Sequence, residues 1–297
     1  MSIDRDQFKR ATIKVALFFS LIVNPIGSAF AQVPAKPTTQ KRETYLDIIE
    51  KAQNLSLQKD RNQAVNLLIN SYKKENKKAQ PEIYEALELI ARFFYTDKSQ
   101  QLYELALPSK TQDLKYNLSK LNEALKLEPD NLLLLEAVVT SDLSNSDCSP
   151  ALTKAKKLYE GNPVSESIQL LLAQSYLCSG MFKDYGALIN TDKKSNYAIF
   201  WQALEVEFQY KTGQLLKAKE LATQITKQHE NYPEAYYWLW KVNLELKIKD
   251  EKNYLKYLSL CKTVSSKQIR SYVYEPNFCH HMSEVEATAK KMENMND

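Results

Sequence analysis

The chain has 297 residues, five glycines, four cysteines and a formal net charge of +4 at pH 7. So few glycines weigh against a β-rich chain or a Rossmann-type nucleotide fold, both of which need glycine in turns and phosphate loops. Arg5, Lys9, Arg10 and Lys14 against Asp4 and Asp6 supply +2 of the charge, and the balanced remainder is not the basic surface that a nucleic-acid partner requires.

In chain order, "MSIDRDQFKRATIK" is basic and is followed by the apolar run Val15–Val23. That run is about half of the ~20 residues a spanning helix needs. Asn24, Pro25 and Gly27 then break any helix, and "AFA" precedes Gln32. A charged segment, a short apolar segment and a small-x-small site together read as a signal peptide over residues 1–31, cut between Ala31 and Gln32. An uncleaved membrane anchor is the alternative. No cysteine lies near the cut, which argues against a lipoprotein. The expected location is periplasmic or secreted, with no stable membrane insertion after cleavage. Residues 32–42, which begin "QVPAKPTTQ", read as a flexible leader.

From Tyr45 onward the apolar residues recur at helical spacing. In "LSKLNEALKLEPDN", Leu118, Leu121, Ala124 and Leu125 share a stripe, and Pro129 stops the helix. "KAKKLYEGNP" repeats the pattern with Ala155, Leu158 and Pro163. Pro129 and Pro163 are 34 residues apart, and Gly180 and Gly213 are 33 apart. A fixed period of about 34 residues predicts stacked helix–turn–helix units, where a non-repeating bundle has no reason for one. The units fall at 43–78, 80–130, 131–164, 165–196, 197–232 and 233–265. Within the second, "YTDKSQQLYELALPS" reads as an inserted loop, with a local contact element as the alternative.

On these residues the chain resembles the tetratricopeptide-repeat family. "WQALEVEF" places Trp201, Leu204 and Phe208 at the family's large positions, with Glu205 where a small residue is usual. "LAQSY" places Leu172, Ala173 and Tyr176, followed by Gly180 and Phe182. Ala151 and Ala218 fill the early small site of second helices, and Ala124 fills the late one. The resemblance implies an all-α, helical-hairpin solenoid of five to six repeats over 43–265. A capping tail over 266–297, disordered at its end, completes the chain. It further implies an interaction scaffold or adaptor, not an enzyme, that binds a peptide or helix of a cell-envelope protein. An envelope enzyme such as a cell-wall hydrolase and a self-associating, homo-oligomeric solenoid are the alternatives. The Lys-x-x-x-Asn pattern of carboxylate-clamp repeats is not evident on the first helices.

The cysteines follow from the stacking. All four lie in the exported part, where disulfides form. Cys148 sits in the turn of one unit and Cys178 at the end of the first helix of the next, which a solenoid places side by side. Cys261 lies in the last unit and Cys279 in the tail. The expected pairs are Cys148–Cys178 and Cys261–Cys279. "CHH" at Cys279–His281 offers zinc-type ligands, but adjacent residues do not converge readily on one ion, and a disulfide uses the thiol. The reading is two exposed histidines, no metal and no cofactor. A partner groove is expected to draw on Gln174, Gln202, Gln209, Tyr210, Tyr237 and Lys241. In "EAYYWLWK" the aromatics cannot share one face, so some face either that groove or the tail.

Overall fold

The structure, a computed structural model, describes residues 44–107, 116–189, 197–263, 279 and 281–294. The expected signal peptide, the leader and "YVYEPNF" of the tail lie outside the described residues, as do 295–297 at the end read as disordered. Among the described residues there are fourteen α-helices and no strand. They are α1 Tyr45–Leu57, α2 Arg61–Lys74, α3 Gln80–Arg92, α4 Asp97–Ala106, α5 Leu118–Leu127, α6 Leu132–Ser144 and α7 Cys148–Gly161. Then follow α8 Glu166–Cys178, α9 Phe182–Ile189, α10 Ala198–Lys211, α11 Leu215–Gln228, α12 Pro233–Glu245, α13 Glu251–Thr263 and α14 Met282–Asn294.

Polar residues start several of these helices by accepting backbone N–H groups that would otherwise be orphaned. Thr44 forms a reciprocal capping box with Asp47, and Asp60, Thr96, Asn117 and Asn131 cap α2, α4, α5 and α6. Prolines do the stopping. Pro129 and Pro163 follow the last residues of α5 and α7, since a proline cannot continue the ladder.

The hairpins α1/α2, α6/α7, α8/α9, α10/α11 and α12/α13 share one turn. The residue after the first helix's cap has positive φ: Lys59 64°, Ser146 63°, Gly180 69°, Gly213 78° and Lys247 58°. One residue further on, a backbone N–H reaches back to close the helix end: Asp60 to Leu55, Asp147 to Asp142, Met181 to Tyr176, Gln214 to Gln209 and Ile248 to Asn243, all at 2.8–3.0 Å. This is the left-handed helix terminus that glycine favours. It recurs at 146, 180, 213 and 247, so the two glycines seen in the sequence belong to a longer series with Ser and Lys in the same conformation.

The first helices α1, α3, α6, α8, α10 and α12 pack each on the next, forming a helical-hairpin solenoid. Small residues permit the close approach: Ala124, Ala151, Ala173 and Ala218 are fully buried. Leu204 is buried between hairpins, with Trp201 and Phe208 partly buried beside it. The apolar core is a string of clusters along the stack. In the middle of it α6 is buried nearly all round, from Leu132 to Asp142, as expected of a helix apolar on every side.

The second unit departs from expectation. The stretch read as an inserted loop contains α4, which pairs with α5 and buries Leu102, Tyr103 and Ala106. Its apolar residues sit at helical spacing, and Thr96 caps it by accepting from the Ser99 N–H at 3.1 Å. The hairpin is fastened by a buried cation. Arg61 of α2 donates to Glu128 at 2.8 Å and to Asp130 at 2.6 Å, and its guanidinium lies 4.2 Å from the centre of the Tyr95 ring.

Both disulfides are formed as the stacking requires. Cys148 opens α7 and Cys178 closes α8, with Cα atoms 5.3 Å apart; Cys261 of α13 and Cys279 are 5.5 Å apart.

Candidate functional site

The first helices carry the candidate site, and three stretches of their shared face differ in chemistry. Toward α3, α6 and α8 the face is filled by the chain's own polar groups. Arg92, at the last turn of α3, donates to Glu136 of α6 through Nε at 3.1 Å and through a terminal nitrogen at 2.7 Å. It also donates to Ser167 Oγ of α8 at 2.7 Å and pairs with Glu88 one turn back. Ser167 in turn donates to Glu136 at 2.5 Å. Arg92 thus ties three consecutive units while being only 8% exposed. Burial works against its charge, but Glu136 and Glu88 outweigh this and hold the guanidinium well above the usual arginine range. Burial pushes the Glu88 carboxyl up, Arg92 opposes, and Glu136 adds to the rise.

Around this cluster Tyr84 of α3 accepts the Glu166 N–H at 3.4 Å, and Trp201 of α10 donates its indole N–H to Glu166 Oε1 at 2.8 Å. Burial pushes the Tyr197 phenol up to about 12. This stretch of the face is a solvent-poor brace. None of its members was anticipated as a site residue. The sequence signal is Glu136, a lone acid inside the apolar run "LLLLEAVV", since an acid there must either break the pattern or find a buried partner.

The second stretch lies on α8 and α10. Gln202 is exposed and Gln174 half-buried, so each reaches the surface. Gln209 does not. It is 2% exposed and donates to Glu205 Oε1, because the close packing of α10 on its neighbouring helices covers it. Tyr210 is half-buried, donates to Glu245 at 3.1 Å and packs on Trp238 with ring centres 5.4 Å apart.

The third stretch, on α12, is covered. Tyr237 and Lys241 share a face, as their spacing requires, but that face is not open. Tyr237 is 2% exposed, stacks on the His281 imidazole at 3.8 Å and donates to Glu284 of α14 at 2.9 Å. Lys241 pairs with the same Glu284. Trp238 and Trp240 are also buried, at 5% and 2%. The tail therefore takes Tyr237 and meets Trp238 through His281, because packing large rings under a capping helix removes much apolar area from water, while Tyr236 stays half-buried and donates to the Glu230 carbonyl. His281 is correspondingly not an exposed histidine, its side chain being 20% accessible.

Hydrogen bonds from His281 and Lys241 hold the Glu284 carboxyl down at about 2, against a smaller opposing effect of burial. Burial, with Glu207 nearby, pushes the Glu234 carboxyl well above the usual range. Among the described residues no group of three His, Cys, Asp or Glu side chains is arranged to hold a metal ion. Cys261 and Cys279, the thiols a zinc site would need, are joined to each other. Among the described residues no helix is long and apolar enough to cross a membrane.

In comparison with known proteins, the chain matches no family model, no curated protein and no solved structure.

Proposed function

We propose that the chain is an exported interaction scaffold, a tetratricopeptide-like stack that holds a peptide or helix of a cell-envelope protein against its first helices. The observation that carries this reading is the packing of α1, α3, α6, α8, α10 and α12 each on the next, which sets the first helices in a row. Along that row the α8–α10 stretch, with Gln174 and Gln202, lies between the internally braced region and the capped end. Amide side chains both donate and accept, so they suit a partner's backbone. The two disulfides support export, because such bonds persist in an oxidising compartment.

The test is cross-linking of the exported protein in its own envelope, beside a Gln174→Arg, Gln202→Arg variant. Loss of one specific cross-linked partner with an unchanged melting temperature is the expected result. An identical partner profile for the two proteins overturns the site assignment. Turnover of peptidoglycan fragments, or a stable homo-oligomer by light scattering whose contacts cover α8 and α10, would replace the scaffold reading with one of its alternatives.

A further inference from the structure

The end of the stack closes on a row of ionisable side chains. His281, the residue before α14, stacks flat on Tyr237 with the ring planes 2° apart. Its Nε2 is 3.9 Å from Glu234 Oε1, and its Nδ1 is 3.5 Å from Glu284 Oε2. One imidazole carried by the cap therefore stands between a carboxylate of α12 and a carboxylate of α14. Glu234 is 9% exposed, and its Oε2 is buried with no hydrogen-bond partner.

Every element packed here contributes a titratable or charged group. From α12 come Glu234, Tyr237 and Lys241, and from α14 comes Glu284. Tyr257 of α13 accepts the His281 backbone N–H at 3.2 Å. Glu207 of α10 acts on Glu234, and Tyr210 of α10 lies within the field of Glu284. Lys241 is engaged with Glu284, so the cationic compensation for Glu234 comes from the imidazole, beside a hydrogen bond that Trp238 offers its carboxylate.

A neutral imidazole brings no charge to Glu234, which at 3.9 Å lies beyond hydrogen-bond reach, whereas an imidazolium compensates Glu234 through space and still donates toward Glu284 at 3.5 Å. A closed cap without a proton on either Glu234 or His281 would bury a carboxylate beside the acidic Glu207. We infer that α14 is a proton-dependent cap: the closed end retains one proton, shared between Glu234 and His281, and opens more readily once that proton is lost.

The direction follows from the two states. In an open end both groups are hydrated and titrate near their ordinary values, about 4.3 for glutamate and about 6.5 for histidine. Between those values open and closed ends both hold the proton, and closure does not depend on pH. Above about 6.5 the open end has released it while the closed end retains it, so rising pH favours opening by up to about tenfold per unit for one proton. Opening exposes Tyr237 and Trp238 at the end of the first-helix row. The Cys261–Cys279 bond keeps the segment tethered throughout.

The experiment is hydrogen–deuterium exchange of the amides in residues 282–294 on the oxidised protein from pH 5.5 to 8.5, corrected for intrinsic exchange. Protection should be level up to about pH 6.5 and then fall by at least tenfold by pH 8.5, while α6 amides show no such break. Glu234→Gln with Glu284→Gln removes both carboxylates that hold the proton on the imidazole, and its profile should not fall above about pH 6.5. Level protection in the wild-type protein overturns the inference without recourse to any variant. A double variant that folds normally by circular dichroism and whose protection falls as steeply as wild type also overturns it.

Discussion

Replacing Arg92 tests whether the solenoid is closed as tightly as the structure shows. Its guanidinium makes two hydrogen bonds to Glu136, one to Ser167 and an ion pair to Glu88. Arg92→Ala removes the cation and leaves Glu136, 1% exposed, with Ser167 as a side-chain donor. Removing one partner of a buried pair costs about 3–5 kcal/mol, because the other charge stays buried and uncompensated. Replacing both, as Arg92→Met with Glu136→Leu, removes the Glu136 charge and fills similar volume but leaves Glu88 without its cation, so the double variant should recover part of that loss. Urea unfolding of the oxidised proteins, with the unfolding slope checked for constancy, gives the numbers. The reasoning fails if Arg92→Ala costs under about 1 kcal/mol, the range of an exposed pair. It also fails if the separate effects of Arg92→Met and Glu136→Leu simply add in the double variant, since residues in direct contact should couple.

Reduction of the disulfides, which close separations of 30 and 18 residues, should cost about 3–4 kcal/mol each on the chain-entropy account. Thermal melts with and without reductant check this, and an unchanged midpoint would show the bonds to be energetically idle. Gly213→Ala should cost about 1 kcal/mol through the left-handed backbone alone, since an added Cβ meets nothing within 4 Å. Lys247→Gly should gain about 0.5 kcal/mol at the equivalent turn, where φ is 58°. Glu284, held down at about 2, contributes stability to the closed end that is fully present above its ordinary carboxyl value and is lost as pH falls toward about 2. Protection of α14 should therefore weaken in acid, and Glu284→Gln should remove that acid limb.

The interval between Pro129 and Pro163 and the interval between Gly180 and Gly213 were legible because they act through local backbone geometry. A proline ends a helix wherever it stands, and a left-handed turn favours glycine wherever it occurs. The equivalent turns at Lys59, Ser146 and Lys247 were not legible, because their residue types carry no such preference and the surrounding hydrogen bonds impose the conformation. The helix α4 was misread as a loop for a related reason. It lies where a regular hairpin would have none, although Leu102, Tyr103 and Ala106 have helical spacing and a buried face.

The sequence alone determined the helical content, the repeat interval and both cysteine pairings. The helices and the interval follow from residue spacing, Cys148–Cys178 from the stacking of corresponding helix ends, and Cys261–Cys279 from a tail that caps the last unit. Only the tertiary structure decided which part of the first-helix face is open. Spacing placed Tyr237 and Lys241 on one side of α12, but a helix more than 40 residues further on covers that side. Gln209 and Gln202 are both polar residues of α10, yet one is 2% exposed and the other is open, because packing between helices treats neighbouring positions differently. Burial and charge compensation are properties of what arrives from elsewhere in the chain. Arg92 meets Glu136 and Ser167 across 44 and 75 residues, and no local pattern around any one of them specifies the other two.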